Sequence, residues 1–233
     1  MYDRPGLSIL ENLKRLGNHE RIAIFIRHSE RENGPAEDPN LPLERTLQLT
    51  ENGRRLAFEF GEALFPYDRI RLSHTIMPRC EDTAEMILKG FRKAYPKKFA
   101  ELLGHDPRIG LMRYYALNLD ARNELRAKLG HNGFIRAWLN NELPPEVMPK
   151  INKAINAFLG DLWQELDYQP MSTLQIMIGH DTELVLLREY LLGYRFEESP
   201  WVDFLDGLIF VWNKDKSLNV SWRNRMMSYG IEV

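Results

Sequence analysis

The chain has one cysteine, Cys80, among 233 residues, so it cannot form an internal disulfide. Neither sign of charge is in useful excess. Lys and Arg number 31 and Asp and Glu 33, a net charge of −2, which supplies no broad basic field for nucleic acid or anionic lipid. Any phosphate chemistry must therefore draw on local positive charge. No segment approaches the run of about 20 apolar residues that a membrane helix requires. The first twenty residues hold no apolar stretch of signal-peptide length, and the reading that follows is a reducing, cytoplasmic setting. A Gly-x-x-x-x-Gly-Lys loop is missing too, which disfavours a nucleoside-triphosphate machine. Internal repeats and low-complexity stretches are likewise lacking.

What is present is ordinary globular material, 44% hydrophobic and 27% charged, long enough for one large domain over residues 1–233. The order of patterns reads as α/β, a mostly parallel sheet flanked by helices. Ser8 to Leu16 is a short helix closed by Gly17-Asn18. Ile22 to Ile26 (IAIFI) is a continuous apolar run, the mark of a parallel strand covered on both faces, and it stops at Arg27-His28. Ser29 to Leu49, with Pro35, Pro39 and Pro42, reads as a long loop. Thr50 is an N-cap for a helix bearing Leu56, Phe60 and Leu64 on one face. Arg69 to Ser73 is a second strand, and Pro78 suits the first turn of the helix that carries Arg79. From Phe91 to Pro170 the pattern is helical and rich in loops without a convincing strand, which predicts a helical insertion or cap over residues 91–170. Leu174 to Ile178 is a third extended run ending at Gly179-His180-Asp181, before a helix from Thr182 to Leu192. Leu208 to Trp212 and Leu218 to Trp222 read as a hairpin at a sheet edge.

Ligands of open α/β sheets bind beyond the carboxyl ends of the strands. Three such ends carry polar residues here: Arg27-His28-Ser29-Glu30-Arg31, Ser73-His74-Thr75 leading to Arg79, and Gly179-His180-Asp181-Thr182-Glu183. Several arginines, two histidines and a carboxylate in one pocket favour a phosphate group, because guanidinium forks match phosphate oxygens. His74 at a strand end is equally well a polar terminator, Asp181 equally well a helix cap, and Cys80 a buried apolar residue. His105, Arg108 and Arg113 read as surface charge. A set of His28, Glu30, His180 and Asp181 would be needed for a metallohydrolase, and neighbouring arginines would repel its cation.

Arg27-His28 after a strand, Arg79 opening a helix within Arg-Cys-Glu-Asp-Thr-Ala, and His180-Asp181 after a later strand together resemble the histidine phosphatase superfamily, over Ile22 to about Leu192. The resemblance implies a phosphoglycerate-mutase-like fold and a phosphomonoester hydrolase that works without cofactor or metal through a phosphohistidine. It implies His28 as nucleophile, Arg27, Arg31, Arg79 and His180 as phosphate ligands, and a small phosphomonoester as the substrate. His180-Asp181-Thr182 and the Arg-His-x-x-Arg spacing of Arg27 and Arg31 are similar to the histidine acid phosphatase branch, which makes Asp181 the proton donor. Ser29 stands where that branch usually has glycine. Thr83-Ala84-Glu85 looks like the phosphoglycerate-mutase-like branch, whose acid is a glutamate, and there Glu101 or Glu183 would take that role. A regulatory phosphate-binding protein with the same pocket, or a phosphomutase, are the other activities compatible with this pattern.

Overall fold

In the computed structural model, residues 4–16, 21–34, 47–213 and 217–230 are described. The chain order is α1 (Leu7–Leu16), β1 (Arg21–Arg27), α2 (Glu51–Ala63), β2 (Arg69–His74), α3 (Pro78–Ala94), β3 (Phe99–His105), a turn of 3₁₀ helix at Pro107–Ile109, α4 (Leu111–Tyr114), α5 (Leu119–Leu139), α6 (Ile151–Asp167), β4 (Thr173–Gly179), α7 (Asp181–Leu192), β5 (Gly207–Trp212), β6 (Ser217–Trp222) and β7 (Arg225–Gly230). The seven strands form one sheet in the order β3-β2-β4-β1-β5-β6-β7. β3, β2, β4 and β1 are mutually parallel, and β5, β6 and β7 follow as antiparallel neighbours.

The apolar run of β1 is explained by the two layers around it. Ile22, Ile24 and Ile26 point into a core shared with α1, α2 and α3, whereas Ala23 and Phe25 point into the opposite core with α5, α6 and α7. A period-2 strand covered on both sides has no polar face to show. β4 is buried along its whole length for the same reason. It enters the sheet between β2 and β1, although β2 ends at His74 and β1 at Arg27, long before β4 begins at Thr173, and so brings three strand ends together.

Two expectations are corrected. The segment 91–170 contains a strand after all: β3 pairs in parallel with β2 along Phe99 to His105. Its residues alternate only weakly between apolar and polar and most are partly exposed, as befits an edge strand, so the hydrophobic pattern carried little signal. The hairpin of β5 and β6 is not the sheet edge either, because β7 pairs outside it. β7 is exposed over nearly all its length and lacks the buried stripe by which strands are recognised. The glycine and asparagine expected to close α1, the prolines of the long loop, and Lys214 to Lys216 lie outside the described residues.

Thr50 caps α2 as expected, its hydroxyl accepting from Gly53 N at 2.9 Å. Gly53 also lies against the chain that leaves β1: a Cβ there would stand 2.0 Å from the Glu30 carbonyl oxygen. The Gly53 carbonyl accepts from the buried Ser29 hydroxyl at 2.7 Å, so this glycine helps to hold the segment just beyond His28. Gly53→Ala must displace backbone, and it is expected to lower the unfolding free energy by about 2 to 4 kcal/mol in urea titrations. A change below about 0.5 kcal/mol would show that the contact is not held.

Candidate active site

The register of the sheet sets Arg27 opposite Gly179 and His74 opposite Ile178, which places His28 beside His180 at the carboxyl ends of β1 and β4. His28 N donates to the Gly179 carbonyl at 2.9 Å, and the two imidazoles meet edge-on with centroids 5.5 Å apart. His28 is 3% exposed. Its Nδ1 lies 2.7 Å from the Ser29 carbonyl oxygen. A carbonyl only accepts, so Nδ1 carries the proton and Nε2 keeps its lone pair. Burial, the His180 ring and the Arg79 and Arg27 charges hold the imidazole well below its ordinary range, so it is neutral in mildly acidic solution.

Arg79 reaches that lone pair, its Nε 3.2 Å from His28 Nε2. It lies in the first turn of α3 behind Pro78, and the backbone amide of Ser29 donates to Thr83 Oγ1 one turn further on, at 3.1 Å. The start of α3 is thereby tied to the end of β1. His180 is the N-cap of α7. Its Nε2 faces Thr75 Oγ1 at 3.2 Å and Cys80 Sγ at 3.8 Å, and burial with the Arg79, Arg27 and Arg31 charges brings its pKa down to about 3 against an opposing pull from Asp181. Arg31 follows on the segment past His28, in an isolated antiparallel bridge with Leu49, and its charge is felt at both Arg27 and His180. Arg27, His28, Arg79 and His180 thus meet at one end of the sheet, and the charge of Arg31 reaches them although its guanidinium donates to the Glu32 carbonyl at 2.8 Å.

Asp181, at the first position of α7, pairs with Arg27 at 2.9 Å and accepts from Trp201 Nε1 at 2.9 Å. Burial would raise its pKa, but Arg27, the indole N–H, His180 and the Thr182 amide outweigh burial and hold it below the usual value. Glu183, two residues on, is the reverse. Burial, with Asp181 nearby, pushes it up to about 7, and its Oε2 has no hydrogen-bond partner. Glu101 is elsewhere: it lies on the edge strand β3, three strands from β1, and binds Arg71 at 2.6 Å. Glu30 turns its carboxylate to Thr50 and Asn52, at 2.6 and 3.0 Å. Among the described residues no three His, Cys, Asp or Glu side chains converge as a metal site, so the set of His28, Glu30, His180 and Asp181 does not assemble.

His74 repeats the His28 arrangement, with Nδ1 2.8 Å from the Thr75 carbonyl oxygen, and is 5% exposed. His105 ends β3 as an exposed residue, and Arg108 is held by Asp106 and Glu165 at 2.7 and 2.9 Å. Cys80 is fully buried. Sequence reading did not find Phe204, whose ring lies 4.3 Å under the Arg27 guanidinium and 5.8 Å from the His28 ring. It also missed Trp201 and the Val202 carbonyl that accepts from Arg27 at 2.8 Å. All three belong to the irregular segment between α7 and β5, where no periodicity marks a role; two aromatics among polar residues were the available hint.

No protein-family model matches the chain, and no curated protein sequence matches it. Solved structures do. YhfR of Bacillus stearothermophilus superposes with a TM-score of 0.52 at 16% identity, over 86% of this chain and 95% of that one. A mycobacterial glucosyl-3-phosphoglycerate phosphatase gives 0.51 at 15% identity, over 91% of this chain and 100% of that one. The structure named mycobacterial hydrolase 1 gives 0.50 at 16% identity over 91% and 99%. The chain has the α/β fold of these proteins, which is the phosphoglycerate-mutase-like fold that the resemblance to histidine phosphatases implies.

The shifted groups make the stability of the site depend on pH. An unfolded histidine titrates near 6.5 and folded His180 at about 3, so between these values the unfolded chain binds a proton that the folded one refuses. Stability is lost as pH falls through that window, by up to about 1.4 kcal/mol per unit. Glu183 works oppositely: its folded pKa of about 7 lies above the unfolded value, so its contribution is lost as pH rises towards and past 7. Urea unfolding between pH 7 and 5 is expected to show a shallower acid-side loss in His180→Gln than in the parent, and a steeper one in Glu183→Gln. Parallel curves for all three proteins would contradict these assignments.

Proposed function

We propose that the chain is a phosphomonoester hydrolase that acts through a phosphohistidine on His28. The observation that carries this is the His28 imidazole, buried and neutral, with its proton fixed on Nδ1 and its Nε2 lone pair turned to Arg79. A phosphoryl group at that nitrogen would meet Arg27, Arg31, Arg79 and the imidazole of His180, and the start of α7 adds the positive end of a helix dipole. Each charge-assisted hydrogen bond contributes on the order of 1.5 to 3 kcal/mol. Such a clamp neutralises the equatorial oxygens while His28 and the leaving oxygen lie in line. The fold shared with a glucosyl-3-phosphoglycerate phosphatase supports the same reading.

In the first step Nε2 attacks phosphorus, the P–O bond to the leaving alcohol breaks, and Asp181 gives that oxygen its proton. In the second step the aspartate takes a proton from water as the water attacks the phosphohistidine, which releases inorganic phosphate and restores both groups. Asp181 begins as the partner of Arg27. A phosphate dianion competes for that guanidinium and brings negative charge beside the carboxylate, and both effects raise its pKa. Trp201 orients the carboxylate throughout. Residues 91–170, β3 apart, are the helical insertion within a domain spanning residues 1–233, with α6 packed on the sheet face against Phe25 and α5 reaching α7 through His131. The substrate is a small phosphomonoester. No helix among the described residues is long and apolar enough to cross a membrane, and a cytoplasmic setting accords with one buried thiol.

His28→Ala is expected to abolish hydrolysis of p-nitrophenyl phosphate, by more than about 10³-fold, with an unchanged far-ultraviolet circular dichroism spectrum. The parent protein should yield an acid-labile, alkali-stable phosphoenzyme after a rapid quench, and turnover should survive a strong chelator. Full activity in a folded His28→Ala protein would end the mechanism. Because Asp181 must be protonated when the leaving group departs, kcat should fall on the alkaline side as it ionises in the enzyme–substrate complex. Asp181→Asn should remove that limb and slow alkyl phosphates far more than p-nitrophenyl phosphate, whose phenolate leaves without help. Equal slowing of both would transfer the proton-donor role to Glu183.

A further inference from the structure

Arg188 has no part in the reaction as drawn, yet it lies on α7 two turns beyond Asp181 and is 0% exposed. Its guanidinium lies 4.4 Å from the Trp222 ring centroid, and its Nε and Nη2 have no hydrogen-bond partner. The acids beside it are engaged elsewhere, Glu189 with Arg136 and Asp206 with Arg223. Burial and the Arg223 charge pull its pKa down, against Asp206, Glu189 and Tyr194. Among the described residues its one hydrogen bond runs from Nη1 to the Pro200 carbonyl, at 2.7 Å. Exchanging a buried charge for an apolar side chain of like volume is often neutral or stabilising, so packing does not account for an arginine here. The Pro200 carbonyl does.

Pro200 opens a strap, residues 200–204, that closes on the proposed acid. Trp201 donates its indole N–H to Asp181 at 2.9 Å, the Val202 carbonyl accepts from Arg27 at 2.8 Å, and the Phe204 ring lies 4.3 Å from the Arg27 guanidinium. The far end of the strap is tied to β1. Leu205 N donates to the Arg27 carbonyl at 3.1 Å, and Arg27 N donates to the Asp206 carbonyl at 3.0 Å. Leu205 is fully buried at a φ of 58°, a backbone conformation that is costly for a leucine and persists only where the surroundings over-determine it. Towards α7 the chain is held by Glu189, which accepts from Phe196 N at 3.0 Å, and by Arg188 at Pro200. Of these two, only Arg188 grips the peptide unit that leads into Trp201.

We infer that Arg188 is a positioning residue for proton transfer: by holding the Pro200 carbonyl it fixes the strap so that the Trp201 indole stays on the Asp181 carboxylate. The inference rests on the reading of Asp181 as the acid. An indole N–H on a carboxylate favours the ionised form and fixes the direction in which the carboxyl faces. When the strap shifts, Asp181 loses both effects: it keeps its proton to higher pH, and it meets the leaving oxygen in a poorer orientation. The other charged groups around Asp181 are Arg27 from β1, His180 and Glu183 on α7, and His131 from α5. Arg188 is hydrogen-bonded to none of them, so its influence on Asp181 passes through Pro200 and Trp201.

Steady-state kinetics across pH, with p-nitrophenyl phosphate and with an alkyl phosphate, would compare Arg188→Met, Trp201→Phe and the double variant with the parent. In each single variant the alkaline limb of kcat should move up by about one pH unit, the scale set by one hydrogen bond to a charged group. The ratio of alkyl phosphate to p-nitrophenyl phosphate turnover should fall about tenfold, with KM within about twofold of the parent. Because Arg188 acts through Trp201, the double variant should match the single ones. A double variant that shows the sum of both shifts would give Arg188 a separate charge effect on Asp181 and overturn the inference. Urea unfolding of each variant is measured alongside: a loss of stability in Arg188→Met with limb and ratio unmoved makes the residue structural only, and overturns it as well. Arg188→Gln, which lacks the reach to Pro200, replaces Arg188→Met if that protein does not fold, and failure of both to fold has the same meaning. An alkaline limb that survives Asp181→Asn overturns the acid assignment and this inference with it. A limb lost in Asp181→Asn yet unmoved in Arg188→Met overturns the positioning role alone.

Discussion

The hydrogen bond from His28 Nδ1 to the Ser29 carbonyl decides which nitrogen of the imidazole is left to act. A histidine among arginines has two ways to lower its energy: stay neutral, or turn a lone pair to a guanidinium. Here it does both, since the Ser29 carbonyl keeps the proton on Nδ1 while Arg79 approaches Nε2. The geometry of that carbonyl is in turn held from two sides, by the Ser29 amide on Thr83 and the Ser29 hydroxyl on the Gly53 carbonyl. The Ser29 side chain thus adds a tie between the segment that follows His28 and α2. A glycine could not make it.

Charge is distributed unevenly around that imidazole. Asp181 neutralises Arg27 and is itself held by Trp201. Arg27 also lies on the ring of Phe204, which favours a guanidinium without competing for its hydrogen bonds. Farther out, Arg122 meets the Asn123 side chain and the Phe134 ring, Arg126 meets His131, and burial pushes the pKa of Glu183 up to about 7. The two sides meet at the start of α7, where Asp181, Thr182 and Glu183 follow one another. Three consecutive residues on a helix point in different directions, so one short segment holds an ion pair to Arg27, a hydrogen bond to His131 and a buried carboxyl.

Much of this was legible in the order of residues. Ile22 to Ile26, Leu174 to Ile178 and the helix around Leu56 and Phe60 carry strong periodic or continuous apolar signals, because they are buried against neighbours on both faces or along a stripe. Arg27, His28, Arg79, His180 and Asp181 were visible because each interrupts or follows such a signal with polar residues. β3 and β7 were not visible. As edge strands they bury little, and a strand that buries little has no compulsory pattern. Trp201 and Phe204 were hidden for a related reason: a loop that wraps a site is shaped by what it touches, and its own sequence has no period to read.

By itself the sequence determined which residues can bear the chemistry and which segments must be interior, since both follow from side-chain type and local spacing. The meeting of those residues was decided only in three dimensions. β4 enters between β1 and β2, which sets His180 against His28 across about a hundred and fifty residues of chain. The same insertion leaves Glu101 on the far edge, bound to Arg71, and brings α7 under α5 so that Arg122 and Glu183 feel each other. The physical reason is that electrostatics and hydrogen bonding act through distance and burial. Neither quantity is a property of a residue's place in the chain.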